Sequence, residues 1–189
     1  MTLLILGLVL FLGIHTLTAA RGPRAVVMGS LGEGPYKGLY SLVSAAGLVL
    51  VVWGFGRYRD GGYVPVWDPP AALHPVALIL LWFAFVALAA AYAPLGKIKA
   101  TLRHPMLAGV KAWALAHLLV NGDLGSLVLF GAFLAWAVFD RIAVKRRGDA
   151  GAPSVPGPTR GDGIALGVGT LAYVAMYWLH PLVIGVPVT

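Results

Sequence analysis

Cysteine is absent from the 189 residues. That excludes disulfides, thiolate-ligated haem, iron–sulfur clusters and cysteine-based zinc sites. Charge is scarce as well: Asp, Glu, Lys and Arg make up 11% of the chain, against about 25% in a soluble domain. A surface facing water needs more polar material than this. Hydrophobic residues reach 59% and mean hydropathy is +0.85, so lipid is the solvent for much of the surface. Acidic residues are the scarcest charged class, seven against fourteen Lys and Arg. The net charge of +7 is spread between apolar runs rather than gathered in a patch. The cations therefore read as topology signals and not as a nucleic-acid footprint. A Gly-rich nucleotide-binding fingerprint is missing, and so is an internal repeat of the kind common in transporters.

What is present is a series of apolar runs approaching the ~20 residues that cross a bilayer. They are Leu3–Ala20, Leu39–Phe55, Val76–Ala93, Met106–Val120, Leu124–Ile142 and Ile164–Leu179. The expected architecture is all-α, a polytopic membrane bundle of about six transmembrane helices forming one domain over residues 1–189. The first run has no charged segment ahead of it, and Arg21 and Arg24 follow it, so it reads as a retained helix and not as a cleaved leader. Met106–Val120 is the shortest run and the weakest span.

The cations check the count. Arg21, Arg24, Lys37, Lys97, Lys99, Arg103, Arg141, Lys145, Arg146, Arg147 and Arg160 fall on one side if six spans alternate; Arg57 and Arg59 fall on the other. The positive-inside rule then places the larger set in the cytoplasm and both termini outside. Asn121-Gly122-Asp123 reads as a turn joining spans four and five in an antiparallel hairpin. Residues 148–163, rich in Gly and Pro, read as a flexible cytoplasmic linker. Residues 22–38 mix apolar and polar residues and suit the membrane interface. Tyr58, Tyr63 and Trp67 suit the opposite, outer interface.

Five histidines stand out in so apolar a chain. Ionisable side chains at membrane depth are costly and usually face the bundle interior. His74 and His104 each precede proline at the start of a span, where proline's missing N–H costs nothing. His180-Pro181 comes at the end of an apolar run, so span six is expected to break or bend there. Tyr173, Tyr177 and His180 fall on one helix face, as a packing stripe or as the polar wall of a cavity. His15 and His117 lie within spans and have no capping role. A neutral imidazole in a dry bundle is a good axial ligand for haem iron, and two from different helices could clamp one macrocycle. Spacing alone does not separate a haem pair from a proton relay or from buried, hydrogen-bonded histidines. His15 lies near the cytoplasmic end of its span and His117 near the outer end of its own, an awkward offset for one haem. Neither has a carboxylate or histidine at the i+3 or i+4 spacing of helical non-haem metal sites. Lys111 shares a face with His104, seven residues on; it either snorkels or binds an anionic group such as a haem propionate or a lipid head group. Asp140-Arg141 reads as a local charge pair near the interface.

The block His104-Pro105-Met106-Leu107-Ala108-Gly109-Val110-Lys111-Ala112-Trp113-Ala114-Leu115-Ala116-His117-Leu118-Leu119, followed by Asn121-Gly122-Asp123, resembles the signature region of NnrU-type bacterial membrane proteins. Phe133-Leu134-Ala135-Trp136 with Phe139-Asp140-Arg141, Gly13-Ile14-His15, and His180-Pro181 with Gly185-Val186 extend the likeness over essentially the whole chain. The family is associated with nitrate and nitrite respiration and nitric oxide metabolism, and is distantly related to the plant zeta-carotene isomerase, a haem b protein. The resemblance implies haem b held by His15 and His117, with His104 as another shared histidine; the reading of the residues themselves adds Lys111 toward the cofactor and His180 and Tyr177 as accessory residues. It implies redox chemistry, nitric oxide handling or isomerisation of a lipophilic substrate; whether the chain is an enzyme stays open. The isomerase's longer N-terminal extension has no counterpart here. The alternatives are a small proton-linked transporter or channel, a membrane methyltransferase, and a non-catalytic assembly factor for a respiratory enzyme. The bilayer is the one partner that composition itself names.

Overall fold

A computed structural model describes residues 1–62 and 64–188; Tyr63 lies outside the described residues. Among these the fold is all-helical: α1 (Thr2–Ala19), α2 (Arg21–Leu31), α3 (Glu33–Asp60), α4 (His74–Tyr92), α5 (Lys97–Leu102), α6 (Pro105–Val120), α7 (Leu124–Arg146) and α8 (Arg160–Val183), with a short 3-10 turn at Ala71–Leu73. A chain in lipid must satisfy its backbone hydrogen bonds internally, and the helix does so within one segment. Five helices are long and apolar enough to cross a membrane, and α6 is a shorter apolar helix. The six expected runs each lie almost wholly within one of these helices, and the run expected to be weakest is the short one.

The helices form two compact units, residues 1–68 with 121–147, and 69–120 with 148–189. The first holds α1, α2, α3 and α7. Its centre is an antiparallel pair, α1 on α3, packed through small residues. A Cβ on Gly7 would stand 2.5 Å from the Val51 amide, one on Gly47 2.7 Å from the Phe11 amide, and one on Gly54 2.7 Å from the Leu4 Cα. Such close backbone approach is how helices associate in lipid, where burial of apolar surface gives no driving force. Apolar side chains on the other face of α3, among them Leu42, Val49, Val52 and Trp53, are exposed, as lipid contact requires. Helix α7 runs parallel to α1. Gly125 abuts the Tyr58 ring at its start, Trp136 donates to the Thr16 hydroxyl at 3.2 Å, and Arg147 donates to the Ala19 carbonyl at 2.7 Å.

The second unit packs α4 antiparallel to both α6 and α8. Gly109 of α6 sits against Ala84 and Leu88, and Gly169 of α8 against Val86. Ala90, Ala93 and Ala165 form a buried cluster, and Trp82 donates to Thr170 at 3.0 Å. Asp162 ties the end of this unit together. Its Oδ2 accepts from the Lys97 amide at 2.8 Å and the Thr159 amide at 2.7 Å, and its Oδ1 accepts from the Ile98 amide at 2.7 Å. One carboxylate thus caps α5 and closes a capping box with Thr159 on α8. Lys99 then reaches the last carbonyls of α4, donating to Ala91 and Ala93 at 2.9 Å each.

Several expectations are corrected. Residues 148–163 do not form one linker: Arg160 to Gly163 are the first turn of α8, started by the Thr159–Asp162 box. The stretch before it is fastened to the α5–α6 junction, with the Ala152 amide donating to the Arg103 carbonyl at 2.9 Å. The turn Asn121–Asp123 does not close a hairpin within one unit; the chain passes there from the second unit to the first. Asp123 instead caps α7, accepting from the Ser126 amide at 2.9 Å, and Gly122 accepts from the amides of Val66 and Trp67. Tyr58 is buried, its hydroxyl accepting from the Val64 amide at 2.9 Å, so its ring faces the protein; Trp67 is exposed. Helix α8 does not break at His180 but continues through Pro181 to Val183, because proline near a C-terminus forfeits only one hydrogen bond. Asp140 pairs with Arg147 at 3.9 Å, not with Arg141, since two helical turns bring residues seven apart onto one face. Residues 22–38 hold α2 from its second residue on, with none of its side chains buried, and the start of α3.

Candidate functional site

His15 lies one turn before the end of α1, on the stripe that meets α3 and α7. Its Nδ1 donates to the Phe11 carbonyl at 2.6 Å. The Phe11 ring lies 4.3 Å from the imidazole, Tyr40 5.4 Å and Trp136 5.8 Å, the last edge-on. A carbonyl can only accept, so Nδ1 carries the proton and the lone pair of the neutral ring is on Nε2. The imidazole is held in one tautomer inside an aromatic box contributed by three helices.

His117 repeats the device in the second unit. Its Nδ1 donates to the Trp113 carbonyl at 2.8 Å, with the Trp113 ring 5.3 Å away, so its lone pair is also on Nε2. It lies in the last turn of α6, at the end of this unit away from Lys97 and Arg103. The antiparallel packing brings two more sequence candidates to that end. His180 stands in the last turn of α8, Nδ1 donating to the Val186 carbonyl at 2.7 Å. Tyr177 lies one turn earlier, against Trp178 at 5.6 Å. Tyr173, expected on the same face, packs on Phe85 at 6.2 Å.

His104 serves another purpose. It precedes α6 at the opposite end of the second unit, and its Nε2 donates to the Asp149 carbonyl at 3.4 Å, helping to fasten the loop beyond Gly148. His74 begins α4 and bonds the Ala71 carbonyl at 3.1 Å, as its position before proline implies. Lys111 is half-buried in the middle of α6 and, among the described residues, makes no ion pair or hydrogen bond.

A family model described as NnrU protein matches residues 3–188. The chain belongs to the NnrU family. That match runs through both packing units, and so takes in His15, His104, Lys111, His117 and His180 together. No curated protein and no solved structure matches the chain.

Among the described residues, no group of three or more His, Asp or Glu side chains could hold a metal ion. A macrocycle needs no such group, because it supplies four equatorial nitrogens and asks of the protein only one or two axial donors. His15 and His117 both have the tautomer an axial ligand requires, with the other ring nitrogen anchored to backbone as in well-ordered metal-ligating histidines. Each residue fits the role within its own unit. Reasoning from sequence missed Asp162 as the organiser of the second unit, although Thr159 and Asp162 have capping-box spacing.

Proposed function

We propose that this NnrU-family membrane protein binds haem b, and that the imidazoles of His15 in the first unit and of His117 in the second would each serve as a ligand to haem iron. It would serve redox metabolism linked to nitrate, nitrite or nitric oxide, or convert a lipophilic substrate in an isomerase-like reaction. The observation that supports this best is the shared tautomer: each imidazole gives its Nδ1 proton to the carbonyl one turn back and keeps its lone pair on Nε2. Bound haem would supply an iron centre for electron transfer or for polarising a substrate.

The chain's own part is to hold and to exclude. Phe11, Tyr40 and Trp136 frame the His15 ring, and its Nδ1 bond to the Phe11 carbonyl orients it and raises the basicity of Nε2. Lys111 offers a charge in mid-helix for an acidic group such as a propionate. Tyr177 and His180 supply polar groups at the His117 end. The isomerase relationship and the inner-membrane location with periplasmic termini belong to the same proposal.

The test is an absorption spectrum of the protein purified in detergent from cells supplied with a haem precursor. A Soret band is expected, weakened or shifted by His15→Ala and by His117→Ala and unaffected by His74→Ala. Colourless protein under those conditions sinks the proposal. Colourless protein with pH-dependent flux in proteoliposomes would favour the proton-linked channel instead.

A further inference from the structure

Five buried polar side-chain atoms lack a hydrogen-bond partner among the described residues: Arg24 Nε, Tyr36 Oη, Ser44 Oγ, Asp140 Oδ1 and Arg147 Nε. All belong to the first unit. Leaving one such group unpaired costs about 1–3 kcal/mol, more when it is charged, so a cluster of them calls for an explanation. Their positions follow from packing already described. Helix α1 ends where α3 begins, and the end of α7 lies beside the end of α1. Arg147 holds the Ala19 carbonyl, and the Arg24 amide donates to the Ala20 carbonyl at 3.0 Å. The two arginines therefore bracket the elbow between α1 and α2. The Arg24 guanidinium lies over the Tyr36 ring at 5.9 Å, and Tyr36 is only 5% exposed.

Three of the five, the two guanidinium N–H groups and the Tyr36 hydroxyl, can donate; Ser44 Oγ can donate or accept, and Asp140 Oδ1, an acceptor, lies 3.9 Å from Arg147 and offsets part of its charge. The same end of the unit also carries Arg21, Lys37, Arg141, Lys145 and Arg146, with Glu33 the only other acid. Glu33 is bonded to Lys37 at 2.7 Å and so does not supply the missing acceptors. What would complete the corner is a compact group with several acceptor oxygens and negative charge. This is the end of the spans, where a bilayer presents its head groups, and a polybasic end at that depth attracts anionic lipid.

We propose that Arg24, Tyr36 and Arg147 form an oxyanion site at the α1–α2 elbow that takes the phosphate of an anionic lipid. The arginines supply charge-assisted bonds, and the Tyr36 hydroxyl donates to a phosphate oxygen from the protein side.

The experiment uses the full chain in nanodiscs of phosphatidylcholine with increasing phosphatidylglycerol, and reads retained lipid by native mass spectrometry after delipidation. Wild type should keep phosphatidylglycerol at least about tenfold over phosphatidylcholine, by analogy with 1.4 kcal/mol per decade. Tyr36→Phe, which keeps the ring for Arg24, should lower retention several-fold; Arg24→Gln and Arg147→Gln should abolish the preference; Arg57→Gln at the other end should not change it. A second arm adds inorganic phosphate to lipid-stripped protein in neutral detergent. A melting shift that needs Arg24, Tyr36 and Arg147, without selective lipid retention, would assign the site to a free oxyanion and overturn the lipid. Equal retention of both lipids by wild type, or equal phosphatidylglycerol retention by wild type and all three variants, would overturn the site itself.

Discussion

Replacing Asp162 by alanine tests how the second unit is held together. The carboxylate accepts three backbone N–H bonds, all 2.7–2.8 Å long, from the start of α5 and from Thr159 ahead of α8. Loss of one helix cap costs about 0.5–2 kcal/mol, and bonds to a charged group lie at the upper end of the range. Two helix starts lose their acceptor at once, and Asp162 is 6% exposed, so water replaces it poorly. The expected loss is about 2–4 kcal/mol. Asparagine keeps one acceptor oxygen and the side-chain shape, and should cost about half as much. Thr159→Ala removes one bond to the Gly161 amide and another to the Leu95 carbonyl and should cost about 1 kcal/mol. The assay is SDS-titrated unfolding in mixed micelles, followed by circular dichroism. If Asp162→Ala is no more destabilised than Thr159→Ala, the double-cap account is wrong.

Three further outcomes are expected. Gly54→Leu should cost at least about 1–3 kcal/mol in the same titration, because its Cβ meets the Leu4 backbone, which cannot rotate away; Val52→Leu on the exposed face should be nearly neutral. Gly151 has φ +70° and its Cβ would stand 2.8 Å from His104 Nε2, so Gly151→Val should release the loop and speed proteolysis between residues 148 and 158. If His15 ligates haem, His15→Gly should lose the band and recover it when free imidazole is added, since Phe11, Tyr40 and Trp136 still frame the space; no recovery, with the fold intact by circular dichroism, would count against His15 as a ligand.

Much of the site was legible residue by residue. His15 and His117 stand out because they interrupt apolar runs without a capping role, and both are bonded to the carbonyl one turn back. His74 and His104 were legible as helix starts because proline follows them. The grouping was less legible. By sequence His117 invites pairing with His15, yet within its own unit it shares an end with His180 and Tyr177, which follows only from α6 and α8 both running antiparallel to α4. Asp162 was hidden because its partners, Lys97 and Ile98, lie more than sixty residues away in sequence. Arg147, rather than the adjacent Arg141, pairs with Asp140 because helical geometry overrides nearness in sequence.

The long apolar runs, with so little polar material between them, by themselves determine a chain of helices in lipid, because a backbone in hydrocarbon must satisfy its hydrogen bonds within each run. Turn residues and prolines also set most helix starts. Which helices pack together was decided only in three dimensions. In a bilayer both faces of a helix can be equally apolar, so hydrophobic periodicity does not mark the inner one. Gly7, Gly47 and Gly54 mark it instead, through how closely two backbones can approach, and that depends on both helices at once.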